Sequence, residues 1–252
     1  MSHRLRRTDR RIVIPEVGRS GHESASRKMS RAIPIRSYVR RDSRMTRAQS
    51  AALELHWQRY ALPQCRGAAD LRRAFTRRAA VTLEIGSGDG SCVIALAQRH
   101  GDEDFVAVEV YRPGLGRVLH RAAAAGLSNI RVSDQDICDV LAPISEAVFD
   151  RVLIFFPDPW PKKRHHKRRL LQAEFFDLLA PRVHRHARVF VATDCESYAE
   201  SIHDTVGNLS AWVNLAGSQR NSPRVKFRPI TKFERRALAT GSRIYDFVFA
   251  RR

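Results

Sequence analysis

The sequence predicts an α/β fold, a mostly parallel sheet with helices on both faces. Two observations carry this. Apolar runs of strand length recur at 81–85, 105–110, 130–132, 149–156 and 188–193, and most of the intervals between them carry helical spacing. Glycine or proline closes most of these segments. Strands that alternate with helices are joined by crossovers, which lay the helices over both faces of the sheet. A length of 252 residues fits one such domain with extensions, at roughly 100–200 residues per domain. With 43% hydrophobic residues the chain can bury a real core. No uncharged apolar run approaches the ~20 residues of a membrane-spanning helix. The Arg-rich start lacks the apolar stretch of a secretory signal. The four cysteines (65, 92, 138 and 195) show neither a CxxC pair nor metal-ligand spacing. They read as unpaired thiols of a reducing, cytoplasmic compartment, with no membrane partner and no metal.

The elements follow in order. Residues 1–50 hold 14 Lys and Arg against 4 acids, more than half of the formal net charge of +19. Charge of this size points to a polyanionic partner, most often nucleic acid. Residues 1–34 show little periodicity and read as a flexible basic arm, with the folded domain spanning 35–252. Within its first segment, 35–60, Thr46 can cap a helix through Gln49, with Leu53 and Trp57 on one face. Val81–Ile85 is a buried strand that stops at Gly86, and Ser91–His100 is a helix that ends at Gly101. Phe105–Val110 is a second strand. Pro113 opens a helix that stops at Gly126. Ile130–Val132 is a third strand, and Phe149–Phe156 a fourth that Pro157 ends. Leu170–Leu179 is helical, Arg188–Thr193 is a strand and Glu196–Val206 is a helix. Trp212–Leu215 and Ile244–Ala250 are two further strands. The polar, basic stretch 217–240 reads as a functional insertion between those last two.

The turn Gly86–Ser87–Gly88–Asp89–Gly90 follows the first strand and opens a helix, where glycine permits a sharp turn and close approach to a ligand. Its spacing is not that of the dinucleotide fingerprint. Glu84 sits inside the strand two residues earlier. A carboxylate there repels a pyrophosphate and suits a cationic or amine-bearing cofactor, and S-adenosylmethionine bears both a sulfonium and an ammonium. Glu109, at the end of the second strand, is placed to accept hydrogen bonds from two ribose hydroxyls. After the third strand, Asp134 and Asp136 compete to receive the adenine amine.

The fourth strand leads into Pro157–Asp158–Pro159–Trp160–Pro161 and then the run from Lys162 to Arg169. Those eight residues comprise six Lys or Arg and two His, with no acid. A run of this kind is commonly a solvated face. Here it follows a strand that ends at the expected cofactor edge, which sets phosphate-binding charge beside the reacting centre. Two prolines restrict the backbone around Asp158 and so aim its carboxylate. Trp160 either offers a face for an extruded base or packs as a hinge. The pair His165–His166 lacks nearby cysteine or acid partners for a metal.

Four blocks carry a family resemblance. They are Ile35–Arg41 with Arg44–Thr46; Leu83–Gly86 with Gly88, Gly90, Glu109–Val110 and Arg112–Gly114; Phe156–Arg169; and Ala192–Asp194 with Tyr198–Glu200 and Arg228–Arg235. From about residue 35 to the end, the chain resembles the bacterial tRNA (guanine-N7-)-methyltransferase family. Ser87 and Asp89 stand where that family usually has an aromatic residue and Met, and Cys195 where Trp is common. The resemblance implies a Rossmann-like class I methyltransferase sheet with a final antiparallel strand. It implies that Glu84, Gly86, Gly88, Glu109, Asp136 and Asp158 meet S-adenosylmethionine, and that Asp158 also borders the target base. It further implies that Lys162 and Asp194 contact substrate, that Arg164, His165, His166, Lys167, Arg168 and Arg169 touch RNA, and that Thr231, Lys232, Phe233 and Glu234 help form the substrate pocket. The implied target is the variable-loop guanine of tRNA conventionally numbered 46. Monomer and homodimer both stay open.

Guanine N7 carries a lone pair and no proton, so methylation there needs no obligatory general base. Asp158 is accordingly expected to orient the base and stabilise developing charge. Three rivals stand beside this reading. An exocyclic-amine nucleic-acid methyltransferase leaves the basic run and the Thr231–Glu234 block unexplained. A non-catalytic RNA-binding module should have lost its acids and glycines, which are all present. A nicotinamide oxidoreductase is disfavoured by the glycine spacing and by Glu84.

Overall fold

The computed structural model describes residues 37–38, 44–217 and 219–252. The basic arm expected over 1–34, and half of the first resemblance block, lie outside the described residues. The domain opens with helix α1 (Arg47–Tyr60). Thr46 caps it as its sequence predicts. Gln49 N–H donates to Thr46 Oγ1 at 3.3 Å, and Thr46 N–H donates to Gln49 Oε1 at 2.8 Å. Leu53 and Trp57 pack from one face of α1 onto the core. A short helix, α2 (Ala68–Phe75), precedes the first strand.

Strands β1 (Val81–Ile85), β2 (Asp104–Val108) and β3 (Ile130–Ser133) alternate with helices α3 (Ser91–Arg99) and α4 (Arg112–Ala124). Helix α5 (Ile137–Leu141) leads to β4 (Phe149–Phe155). A 3₁₀ helix (Lys163–Arg168) and α6 (Ala173–Leu179) lead to β5 (Val183–Thr193). Then come α7 (Glu196–Gly207), β6 (Trp212–Asn214), α8 (Lys232–Ala239) and β7 (Tyr245–Arg251). The strand order is β3-β2-β1-β4-β5-β7-β6. β1 to β5 run parallel, and β7 is antiparallel to both β5 and β6.

The period-2 side-chain alternation splits the core. Leu83, Ile85, Val152, Ile154, Val189 and Val191 join one buried cluster with α6 and α7. Phe105, Ala107, Leu153, Phe155 and Ala192 join a second with α3 and α4. All five residues of β1 are buried, as a central strand covered on both faces requires. Full burial of each aliphatic side chain stabilises the fold by about 1.5–3 kcal/mol.

Three differences from the sequence reading have simple causes. β5 begins at Val183, five residues earlier than the apolar run, because His184, Arg185 and His186 extend it with exposed or half-buried polar side chains. α6 begins at Ala173, after Gln172 bonds back to the preceding carbonyls. The insertion 217–240 contains a helix, α8, capped by Thr231.

Candidate active site

The strand order reverses between β1 and β4, which have their neighbours β2 and β5 on opposite sides. In open parallel sheets the crevice beyond the carboxyl ends of such a pair receives ligands. The glycine turn leaves β1 at this point and the Pro157–Asp158–Pro159 segment leaves β4 there.

Gly86 and Gly88 hold left-handed φ angles of 74° and 58°, a region that costs little only for glycine. The Gly88 N–H donates to Glu109 Oε2 at 2.6 Å, and the Tyr111 N–H donates to Glu109 Oε1 at 2.7 Å. Glu109 therefore fixes the turn and keeps a second lone pair on each oxygen for a ligand. Burial raises its pKa above the ordinary carboxylate range, the two N–H groups oppose this, and the charge of Asp158 adds to the rise.

Glu84 lies at 4% exposure beneath the turn. The Cys92 thiol and the Val93 N–H donate to it, but burial dominates and pushes its pKa up to about 8, with the charges of Glu109 and Asp89 adding to the rise. Its Oε2 has no hydrogen-bond partner. A buried carboxylate oxygen without a donor is costly unless a cation or donor arrives with a ligand. This fits an ammonium-bearing cofactor. Asp136 caps α5, its Oδ1 accepting from Cys138 N–H at 2.8 Å. Asp134 stands just beyond β3, and Asp136 two residues further on.

Asp158 is exposed at the crevice, and its charge reaches Glu109. The residues that bracket it are unusual. Phe156 has φ 56° and Trp160 has φ 45°. Left-handed aromatic residues cost on the order of 1–3 kcal/mol each and persist where surrounding contacts impose them. Trp160 is held on three sides. Its Nε1 donates to Ser37 O at 2.9 Å, the Arg168 guanidinium lies 5.0 Å over its ring, and His165 meets it edge-on at 5.8 Å. Of the two sequence readings for Trp160, packing describes these contacts.

Lys162, Arg164 and Lys167 are exposed on or next to the 3₁₀ helix, while His165, His166 and Arg168 are half-buried. Desolvation and the charges of Arg164, Arg168, Lys162 and Lys167 hold His165 below its ordinary pKa. His166 Nε2 is buried without a partner. Arg169 departs from the expectation of an RNA contact. It is 3% exposed and spends its donors on Pro159 O (3.0 Å), Ser197 O (2.9 Å) and Ser197 Oγ (2.9 Å), with its plane 4.8 Å over Tyr198. It pins the basic run to α7.

Asp194 is exposed just past β5. Phe233 of α8 is 54% exposed, and its ring lies 3.9 Å from where a Cβ on Gly88 would stand. The insertion thus reaches the glycine turn. Lys232 is exposed beside it. Thr231 Oγ1 accepts from Glu234 N–H at 3.2 Å. Glu234 is 1% exposed and takes Arg224 Nε at 2.6 Å and Arg228 Nη2 at 3.1 Å, so it faces inward to a buried ion cluster. Burial works against its charge, yet the hydrogen bonds from Arg224 and Arg228 win and lower its pKa. Sequence reasoning gave no role to Cys92 or Arg228. Neither residue type stands out where it occurs, and their partners are distant in sequence. Among the described residues no group of His, Cys, Asp and Glu is arranged to hold a metal ion.

A sheet with this reversal, a left-handed glycine turn and buried acids within β1 and just after β2 defines a class I S-adenosylmethionine-dependent methyltransferase. A solved structure of the 16S rRNA methyltransferase KamB shares the fold, with a TM-score of 0.51 at 14% identity over 76% of this chain and 97% of that one. Residues 78–247 match the family model described as "Putative methyltransferase". The tRNA (guanine-N(7)-)-methyltransferase of Nitrosospira multiformis is 42% identical over 220 residues, 87% of this chain and 95% of that protein. The Pseudoalteromonas atlantica protein of the same name is 39% identical over 86% of this chain and 91% of its own. The chain belongs to the tRNA (guanine-N(7)-)-methyltransferase family.

Proposed function

We propose that this protein transfers a methyl group from S-adenosylmethionine to N7 of a guanine in tRNA, at the variable-loop position conventionally numbered 46, and that Asp158 orients and stabilises that guanine. The observation that carries the reading is the meeting of two kinds of acid at the sheet reversal. Glu84 and Glu109 are buried on the β1–β2 side. Asp158 stands exposed on the β4 side between two strained aromatics. The cofactor supplies an electrophilic methyl on a sulfonium, and leaves as the neutral thioether after transfer.

The residues present do the rest. Glu84 holds the cofactor's ammonium and Glu109 its ribose hydroxyls. Asp158 accepts hydrogen bonds from the guanine N1–H and 2-amino group, which raises electron density at N7 and selects guanine over adenine. Asp194 contributes from the end of β5. No proton leaves N7, so Asp158 stabilises the positive charge that develops on the purine without abstracting one. Lys162, Arg164, Lys167 and Arg168 hold backbone phosphates, and Phe233 and the Thr231–Glu234 turn shape the pocket. Residues 1–34, with nine Lys and Arg against three acids, add attraction to the RNA backbone.

The test is incubation with total tRNA and labelled cofactor, followed by nucleoside mass spectrometry and site mapping. 7-Methylguanosine at the variable loop is expected. A label on an exocyclic nitrogen, or no label despite cofactor binding, would refute the proposal.

A further inference from the structure

Three segments of the chain meet on one buried guanidinium. The Arg228 side chain is fully buried, within the insertion and four residues ahead of α8. Nη1 donates to Asp246 Oδ1 in a short contact, and Nη2 donates to Asp246 Oδ2 at 3.3 Å and to Glu234 Oε1 at 3.1 Å. Arg224 Nε donates to the same Glu234 oxygen, Oε1, at 2.6 Å, while its Nη2 donates to Glu234 Oε2 at 3.2 Å and to the Arg228 carbonyl at 2.8 Å. Two cations and two carboxylates therefore balance. The Arg228 carbon centre lies 5.1 Å from the Phe155 ring centroid and 5.8 Å from that of Phe156. Its Nε–H has no hydrogen-bond acceptor, although it is buried. Phe156 is the left-handed residue two positions before Asp158.

We propose that Arg228 is a positioning residue for methyl transfer: it braces Phe155 and Phe156 so that Asp158 stays aligned with the α8 insertion. The proposal rests on the reading of Asp158 given above. Arg228 acts through others. Its plane presses the strained turn that leads to Asp158 and ties it to β7 through Asp246. The same plane ties it to α8 through Glu234, and α8 carries Phe233 to the glycine turn. Stability alone does not call for this cluster, because a buried ion pair is often no better than apolar packing of the same volume. What the cluster supplies is a fixed geometry between strand end and insertion. A displacement of about 1 Å in such a supporting element can cost on the order of 10²-fold in rate with binding intact.

The test uses the full-length protein with tRNA and S-adenosylmethionine at saturation, and compares Arg228→Lys, the neutral pair Arg228→Met with Asp246→Asn, and Asp158→Asn. Arg228→Lys keeps the charge and loses the plane. It should lower kcat at least tenfold while KM for both substrates stays within threefold. The double variant removes one positive and one negative charge. It should melt within a few degrees of wild type and still turn over at least thirtyfold more slowly. Wild-type turnover in either Arg228 variant beside an inactive Asp158→Asn overturns the positioning role alone. A raised KM for tRNA with unchanged kcat overturns it too, since Arg228 would then serve binding. Wild-type turnover in Asp158→Asn removes the reading on which the proposal rests, whatever Arg228 does. If the double variant does not fold, Arg228→Lys decides.

Discussion

Glu84 ties cofactor binding to a proton. Burial raises its carboxyl to about 8, above the ordinary carboxylate range, so in the free protein it is mostly protonated at pH 7. An acid raised in the folded state contributes stability at low pH and loses it as pH climbs from the ordinary value through the folded one. The free protein should therefore melt progressively lower between about pH 5 and 8 than Glu84→Gln, which has nothing to titrate. Bound ammonium favours the carboxylate and reverses that loss. S-adenosylmethionine should bind more tightly as pH rises from 6 to 8, with proton release, and Glu84→Gln should bind more weakly and without that dependence. Calorimetry in two buffers of different ionisation enthalpy measures this, and equal proton release by both proteins would refute it. Asp158 makes a different demand. It is exposed beside a strained turn, so replacing it should leave the fold intact. Asp158→Ala should cost on the order of 10²–10³ in kcat, the size of losing one well-placed electrostatic group. Single-turnover rates within threefold of wild type would exclude the role.

At the scale of elements, the basic run divides into two parts that its charge pattern does not separate. Arg164 is exposed at the start of the 3₁₀ helix, whereas Arg169 is buried with three hydrogen bonds to the protein. Arg169→Ala leaves two carbonyls and a hydroxyl without their donor. It should cost about 3 kcal/mol or more, a fall of roughly 6–12 °C in Tm for a domain of this size. Arg164→Ala should leave Tm unchanged and weaken tRNA binding. Thermal melts beside tRNA titrations separate the two, and equal Tm for both variants would show that the burial of Arg169 contributes nothing. The same contrast marks what a sequence discloses. The places of Glu84 and Glu109 beside the glycine turn were readable because the apolar strands that carry them are local signals. The alternation of strands and helices was readable because periodicity is local. Arg169 was not, since its difference from Arg168 lies in Pro159 and Ser197, ten and 28 residues away. The contacts of Arg228 with Glu234 and Asp246, six and 18 residues on, were hidden for the same reason. The 3₁₀ helix itself has no buried residue to give it a hydrophobic period.

For the whole molecule the question is how a net charge of +19 is shared between attraction and alignment. Residues 1–34 carry nine Lys and Arg against three acids. The run from Lys162 to Arg169 carries six positive side chains beside the crevice, and one of them, Arg169, is committed to the fold. Charge that only attracts acts by releasing counterions from RNA and is screened over about 8–10 Å at physiological salt. Charge on a braced element fixes where the phosphates sit, and so where the guanine sits, at any salt. Deleting residues 1–34 should therefore weaken tRNA binding most at low salt, flatten the salt dependence of affinity and leave saturated turnover nearly unchanged. Replacing Arg164, Lys167 and Arg168 together with Ala should lower turnover even with tRNA in excess. Part of that loss would come through Trp160, whose ring Arg168 covers. Both variants are to be assayed across a salt series with saturating tRNA. A fall in saturated turnover on arm deletion as large as that of the triple replacement would overturn the division. The arm would then be an ordering element over the bound tRNA, and its effect on turnover would persist at high salt, where simple attraction is lost.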